Sequence, residues 1–77
     1  MSKGQKGSRS LSALDVVALL EPRKAERLER GQVGTVVEVI DPETVLVEFS
    51  DDQGRAYAIV PCRNMDLLTL HYVPQAA

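Results

Sequence analysis

The chain has no tryptophan, one phenylalanine, two tyrosines, one histidine and one cysteine. A lone cysteine, Cys62, excludes an intramolecular disulfide and a cysteine-based zinc site, and it suits a cytoplasmic address. With aromatics at 4%, the aromatic-lined groove that grips proline-rich peptides has almost nothing to line it. Base-stacking platforms for single-stranded nucleic acid are scarce for the same reason. No apolar run approaches the ~18 residues of a membrane span; the longest is Val16-Val17-Ala18-Leu19-Leu20. Lys3, Lys6 and Arg9 open the chain, but no uninterrupted apolar stretch follows them as in a secretory signal.

What is there is enough for one small domain. At 77 residues and 8.4 kDa, scaling gives roughly 4,600 Å² of folded surface against about 12,000 Å² unfolded, so roughly 60% is buried. A hydrophobic content of 44% argues against wholesale disorder. That burial supports a two-layer core but leaves no depth for a catalytic cleft. The charge is uneven. Residues 1–10 hold three cations and no anion, whereas residues 11–77 hold six cations against eleven anions, a net of −5. The Ser/Gly/Lys-rich opening offers no apolar surface to order it, so residues 1–12 are expected to be a flexible basic tail. The domain proper is expected over 13–73, with 74–77 a short C-terminal tail.

Short β-branched runs separated by turn residues dominate the domain. Asp15–Leu20 reads as a first strand, ended where Pro22 forces Glu21 into extended geometry. Arg23–Arg30 has helix-friendly composition but one large apolar residue, Leu28, and some eight residues make a marginal helix. It reads as an irregular excursion that tucks Leu28 against the core, with a helical turn as the alternative. Val33–Ile40 holds five Val or Ile residues in eight and resists helix. Its alternation is broken, and either a bulge at Gly34 or burial of both faces would reconcile it. Thr44–Ser50 alternates cleanly, with Val45, Val47 and Phe49 inward and Leu46 the odd residue on the outer side. Asp51-Asp52-Gln53-Gly54 is a turn in which Gly54 is free to take positive φ. Ala56–Val60 is a fourth strand stopped by Pro61, Cys62–Asp66 a turn or one 3-10 turn, and Leu67–Val73 a fifth strand. The expected core is Val17, Leu19, Leu28, Val33, Val36, Val45, Val47, Phe49, Ile59, Leu68 and Leu70.

Five short strands at this spacing predict an all-β fold, a small five-stranded antiparallel barrel with a long first loop and a 3-10 turn before the last strand. The pattern as a whole resembles an SH3-like barrel. More closely, Asp15–Leu20 (D-V-V-A-L-L), Arg30–Val39 (R-G-Q-V-G-T-V-V-E-V), Val47–Phe49 (V-E-F) and Asp52–Arg55 (D-x-G-R) resemble a family of short bacterial proteins, domain of unknown function forty-nine twenty-six. The resemblance runs from about Ala13 to Tyr72. It implies the barrel but brings no catalytic residues. The glycine–valine block is shared loosely with other SH3-like barrels, including the KOW motif of ribosomal and transcription proteins.

Gly31 and Gly34 precede a Val-rich strand with no following Gly-Lys-Ser/Thr, so they read as a turn and a bulge rather than a phosphate cradle. Glu48, Asp51 and Asp52 lack the further ligands of a calcium loop and read as a solvated hairpin end. Cys62 and His71 are the remaining nucleophile and imidazole. Arg63 would lower the thiol pKa, yet no oxyanion donors are evident, and Cys62 reads as a small packed residue. The chain is therefore expected not to be an enzyme and to need no cofactor or metal.

The function expected is a non-catalytic interaction module that binds a protein partner or a second copy of itself. Its contact surface is expected at Arg23, Lys24, Arg27 and Arg30 of the excursion, with Leu46, Tyr57 and Tyr72. The first alternative is a KOW-like nucleic-acid-binding barrel that uses the basic tail and the Arg23–Arg30 loop. The acidic body, with Glu38, Asp41, Glu43 and Glu48 along its central hairpin, opposes that reading, because phosphate neutralisation supplies most non-specific affinity. The second alternative is an accessory subunit of an enzyme.

Overall fold

The computed structural model describes residues 10–51 and 53–70. The protein is all-β, with five antiparallel strands: β1 (Val16–Leu19), β2 (Val33–Asp41), β3 (Thr44–Ser50), β4 (Ala56–Arg63) and β5 (Leu67–Leu70). Single 3-10 turns cover Lys24–Glu26 in the β1–β2 excursion and Asn64–Asp66 just before β5. The strands form one sheet in the order β4-β3-β2-β1-β5. β2 is central and the longest. Its start pairs with β1 (Val16 opposite Thr35, Ala18 opposite Val33), while β3 pairs with it from Gly34 to Asp41.

β3 follows the expected alternation. Val45, Val47 and Phe49 are fully buried, with Leu46 and Glu48 half-buried on the outer side. β2 breaks alternation differently from the expectation. The register slips between Val36 and Glu38 and again between Val39 and Asp41, so the bulges fall at Val37 and Ile40, not at Gly34. The alternative of burial on both faces fails too, because Val37, Val39 and Ile40 are all exposed. β4 runs through Pro61 to Arg63 instead of stopping at Val60. β4 is an edge strand, where a proline can turn the side lacking an N–H to the open edge and leave the ladder intact.

The core consists of Leu11, Val17, Leu19, Leu28, Val36, Val45, Val47, Phe49, Val60, Cys62 and Leu67. Seven of the eleven expected core residues are among them. Val33, Ile59, Leu68 and Leu70 instead point outward. The reason is register. Gly34, not Val33, lies opposite both Val17 and Phe49 on the inner face. Val60 faces Val47, and Leu67 faces Leu19. Leu11, in the segment read as tail, also closes over the core. The remaining expectations for 1–9 and 71–77 lie outside the described residues.

Candidate interaction surface

Between β1 and β2 the chain makes its long excursion. The backbones of Arg23 and Leu28 bond to each other twice, at 2.8 and 3.0 Å, closing a tight loop over the 3-10 turn. Arg27 ends that turn in left-handed geometry (φ 62°), its N–H donating to the Lys24 carbonyl at 3.0 Å. Leu28 then drops into the core and is 1% exposed. An irregular excursion anchored by Leu28 is thus what forms, with a single helical turn at its tip.

The cations of this loop divide by role. Arg23 is half-buried and donates through Nε and Nη2 to the Glu26 carboxylate at 3.2 and 3.3 Å. That bond raises the guanidinium pKa further above its ordinary value. Lys24, Arg27 and Arg30 are exposed and make no ion pair among the described residues. They line a shallow groove with Glu21, Pro22 and Leu28. Tyr57, near the start of β4, is half-exposed, and its hydroxyl donates to the Arg27 carbonyl at 3.3 Å. Of the seven expected contact residues the structure thus brings Lys24, Arg27 and Arg30 into one groove, with Tyr57 tied to the Arg27 carbonyl beside it and Arg23 turned to Glu26. Leu46 does not join them. It is half-buried on the outer side of β3 between Glu38 and Pro61, and Pro61 to Tyr57 is about 13 Å of strand at ~3.3 Å per residue. Tyr72 lies outside the described residues.

The other candidates take structural roles. Asp51 caps its hairpin: Oδ1 accepts from the backbone N–H groups of Gln53 (2.9 Å) and Arg55 (3.0 Å), and Oδ2 from Arg55 Nε (3.2 Å). The backbone N–H donors of Arg55 and Gln53 hold its pKa below the ordinary carboxylate range. Asp52 and His71 lie outside the described residues. Cys62 is buried, and burial pushes its thiol up. The cation that acts on it is Arg23, not Arg63; Arg63 faces outward at 3.7 Å from Glu43. Among the described residues no group of three or more His, Cys, Asp or Glu is placed to hold a metal ion. No helix among them is long and apolar enough to cross a membrane.

A second, apolar surface lies on the sheet. Val16, Val33, Leu68 and Leu70 are all exposed on the outer face of β2, β1 and β5. Val33, Leu68 and Leu70 are expected in the core and lie outside it. The register across β1 is what reveals them, and no local pattern in a strand such as Leu67-Leu68-Thr69-Leu70 announces it.

A family model described as Domain of unknown function (DUF4926) matches residues 13–69. The chain belongs to this family. The matched span starts ahead of β1 and ends within β5, so the excursion, Tyr57 and nearly all of the outer face lie inside the family domain. No curated protein and no solved structure matches the chain.

Proposed function

We propose that the protein is a non-catalytic interaction module that binds another protein or a second copy of itself. The observation that carries this reading is the apolar surface. Among the described residues twelve large hydrophobic side chains are more than a third exposed. Single scattered surface hydrophobes are ordinary, but groups that share a sheet face mark contacts with other molecules. The excursion adds three cations around Pro22 and Leu28 that make no ion pair among the described residues, with Tyr57 fixed against its tip, a mixed rim of the kind that orients a partner. An enzyme is one possible partner, which makes the protein an accessory subunit. The protonated, buried Cys62 takes no part and suits a reducing cytoplasm.

The test is capture by the tagged full chain from its host lysate, with and without nuclease, identified by mass spectrometry. We expect either a stoichiometric protein or untagged copies of the chain, surviving nuclease and reduced by Tyr57→Ala or Leu68→Asp. Material that disappears with nuclease would overturn the reading. It would favour the nucleic-acid alternative, whose support is Lys24, Arg27 and Arg30 lining one groove with no ion pair among the described residues. Binding by those cations would fall with salt at a log–log slope of about −3.

A further inference from the structure

We infer that the groove of the β1–β2 excursion docks an acidic peptide segment of a protein partner, its carboxylates held by Lys24, Arg27 and Arg30. The inference rests on the interaction-module reading and names the chemistry of the partner. The described residues hold six lysines and arginines. Arg23, Arg55 and Arg63 are each paired with a carboxylate, of Glu26, Asp51 and Glu43 respectively. The other three line this one groove, and none makes an ion pair among the described residues. Glu26 lies in the same 3-10 turn, yet both its oxygens accept from Arg23, at 3.2 and 3.3 Å. The turn's own acid is thus engaged elsewhere. Arg27 supplies a second, independent observation. It ends the turn at φ 62°, left-handed geometry that suits glycine and that few other residues adopt. Backbone strain of this kind gathers where a side chain is held for binding. The mount is firm as well. The Arg27 carbonyl accepts from the Tyr57 hydroxyl at 3.3 Å, and two Arg23–Leu28 backbone bonds close the loop. Binding then has only the three side chains to order.

The surroundings of the cations select a peptide over a nucleic acid. Glu21 and Glu29 share the lining, and residues 11–77 carry a net charge of −5. A duplex bears one charge per ~1.7 Å of its axis. It cannot reach three cations without bringing further phosphates within the ~8 Å Debye length of those acids. Carboxylates spaced along a peptide meet the cations one by one and leave neutral residues beside the two glutamates. Arg27 and Arg30 suit them, because a guanidinium fork takes a carboxylate through two parallel bonds. No aromatic residue lines the groove, so bases find no platform on which to stack. Pro22, exposed on the rim, instead offers an apolar neighbour to a peptide side chain. The groove holds about 730 Å³, the scale of a site for a small ligand or a few residues of peptide.

Fluorescence anisotropy of the full chain tests this with a labelled decapeptide pool in which glutamates alternate with randomised neutral residues. The same pool with glutamine for glutamate, and oligothymidine of equal length, are the comparisons. The glutamate pool should bind saturably, and the other two at least tenfold more weakly. Raising salt from ~30 to ~150 mM should weaken the glutamate pool several-fold. Arg27→Gly is the diagnostic variant. It should raise the urea midpoint, because glycine suits the left-handed turn, and yet weaken peptide binding at least fivefold. Lys24→Gln and Arg30→Gln should each weaken binding as well. Arg63→Gln, which removes an exposed cation paired with Glu43, should bind as the wild type does. No binding of the glutamate pool, equal binding of the glutamine pool, or binding unchanged by Arg27→Gly would overturn the inference. So would an Arg27→Gly that loses stability and binding together while Lys24→Gln and Arg30→Gln still bind, since that marks a structural arginine. Tighter binding of oligothymidine would give the groove to nucleic acid instead. A stoichiometric, nuclease-resistant protein captured equally by wild type and Arg27→Gly would sink the groove alone and leave the interaction-module reading standing.

Discussion

At the scale of single residues, Gly34 shows how a glycine can be required without any unusual dihedral. It lies on β2 opposite Phe49 of β3. A Cβ built there would sit 2.7 Å from Val47 Cγ1 and 2.8 Å from two carbons of the Phe49 ring. The sequence pattern suggested a bulge at this glycine. What the position needs is close approach, so that the ring of the largest fully buried residue can lie over bare backbone. Gly34→Ala has two opposed effects. Reduced freedom of the unfolded chain favours alanine by about 0.4–1 kcal/mol. Overpacking against Val47 and Phe49, both with no exposed surface, costs about 1–3 kcal/mol. The steric effect is larger because both neighbours are enclosed, so urea unfolding should show a net loss of about 1–2 kcal/mol. An unchanged or raised midpoint would mean that the ring does not rest on Gly34.

At the scale of elements, the β3–β4 hairpin depends on one carboxylate. Asp51 accepts three hydrogen bonds from Gln53 and Arg55, and its pKa is lowered by them. The folded state thus binds this proton less tightly than the unfolded chain, where aspartate titrates near about 3.9. The resulting stabilisation is complete above that pH and is lost as pH falls through the lower, folded value. Asp51→Asn keeps an oxygen for the turn and removes the titration. The wild type should therefore melt above Asp51→Asn at neutral pH, and the gap should close as pH falls from about 5 toward 2. A gap independent of pH would show that the charge is irrelevant to the hairpin. This turn was legible in the sequence because Asp and Gly at these places have local reasons to be there. So were β3, through strict alternation, and Leu28, through being alone in a polar stretch. The inward faces of β4 and β5 were not. Ala58-Ile59-Val60 and Leu67-Leu68 are apolar on both sides, so only pairing with β3 and β1 decides which residue is inside. Pro61 misled because its meaning depends on β4 being an edge strand. The basic loop of the candidate surface was legible as composition. Its link to Tyr57, thirty residues away, and the apolar patch of Val16, Val33, Leu68 and Leu70 across three strands exist only in the folded chain.

At the scale of the whole molecule, the question is whether so small a sheet opens in parts or all at once. β4 is an edge strand, and edges are where local fraying is least costly. Yet β4 also contributes Val60 and Cys62 to the core, opposite Val47 and Val45. Lifting it would expose the same side chains that hold β3. The chain carries its own reporter of this choice. Cys62 is 1% exposed, and burial raises its thiol pKa, so an aromatic disulfide reagent reaches a reactive thiolate only when the strand opens. If opening is global, the labelling rate in the fast-reclosing regime tracks the unfolding equilibrium. Gly34→Ala lies on β2, away from the thiol, and should then accelerate labelling by the factor its stability loss dictates, about tenfold per 1.4 kcal/mol. If β4 frays alone, labelling will be fast in the wild type and indifferent to Gly34→Ala. We expect the first outcome. The excursion's Leu28, the hairpin's Phe49 and the edge strand's Cys62 all close on one core, and no strand of the sheet can leave without uncovering it.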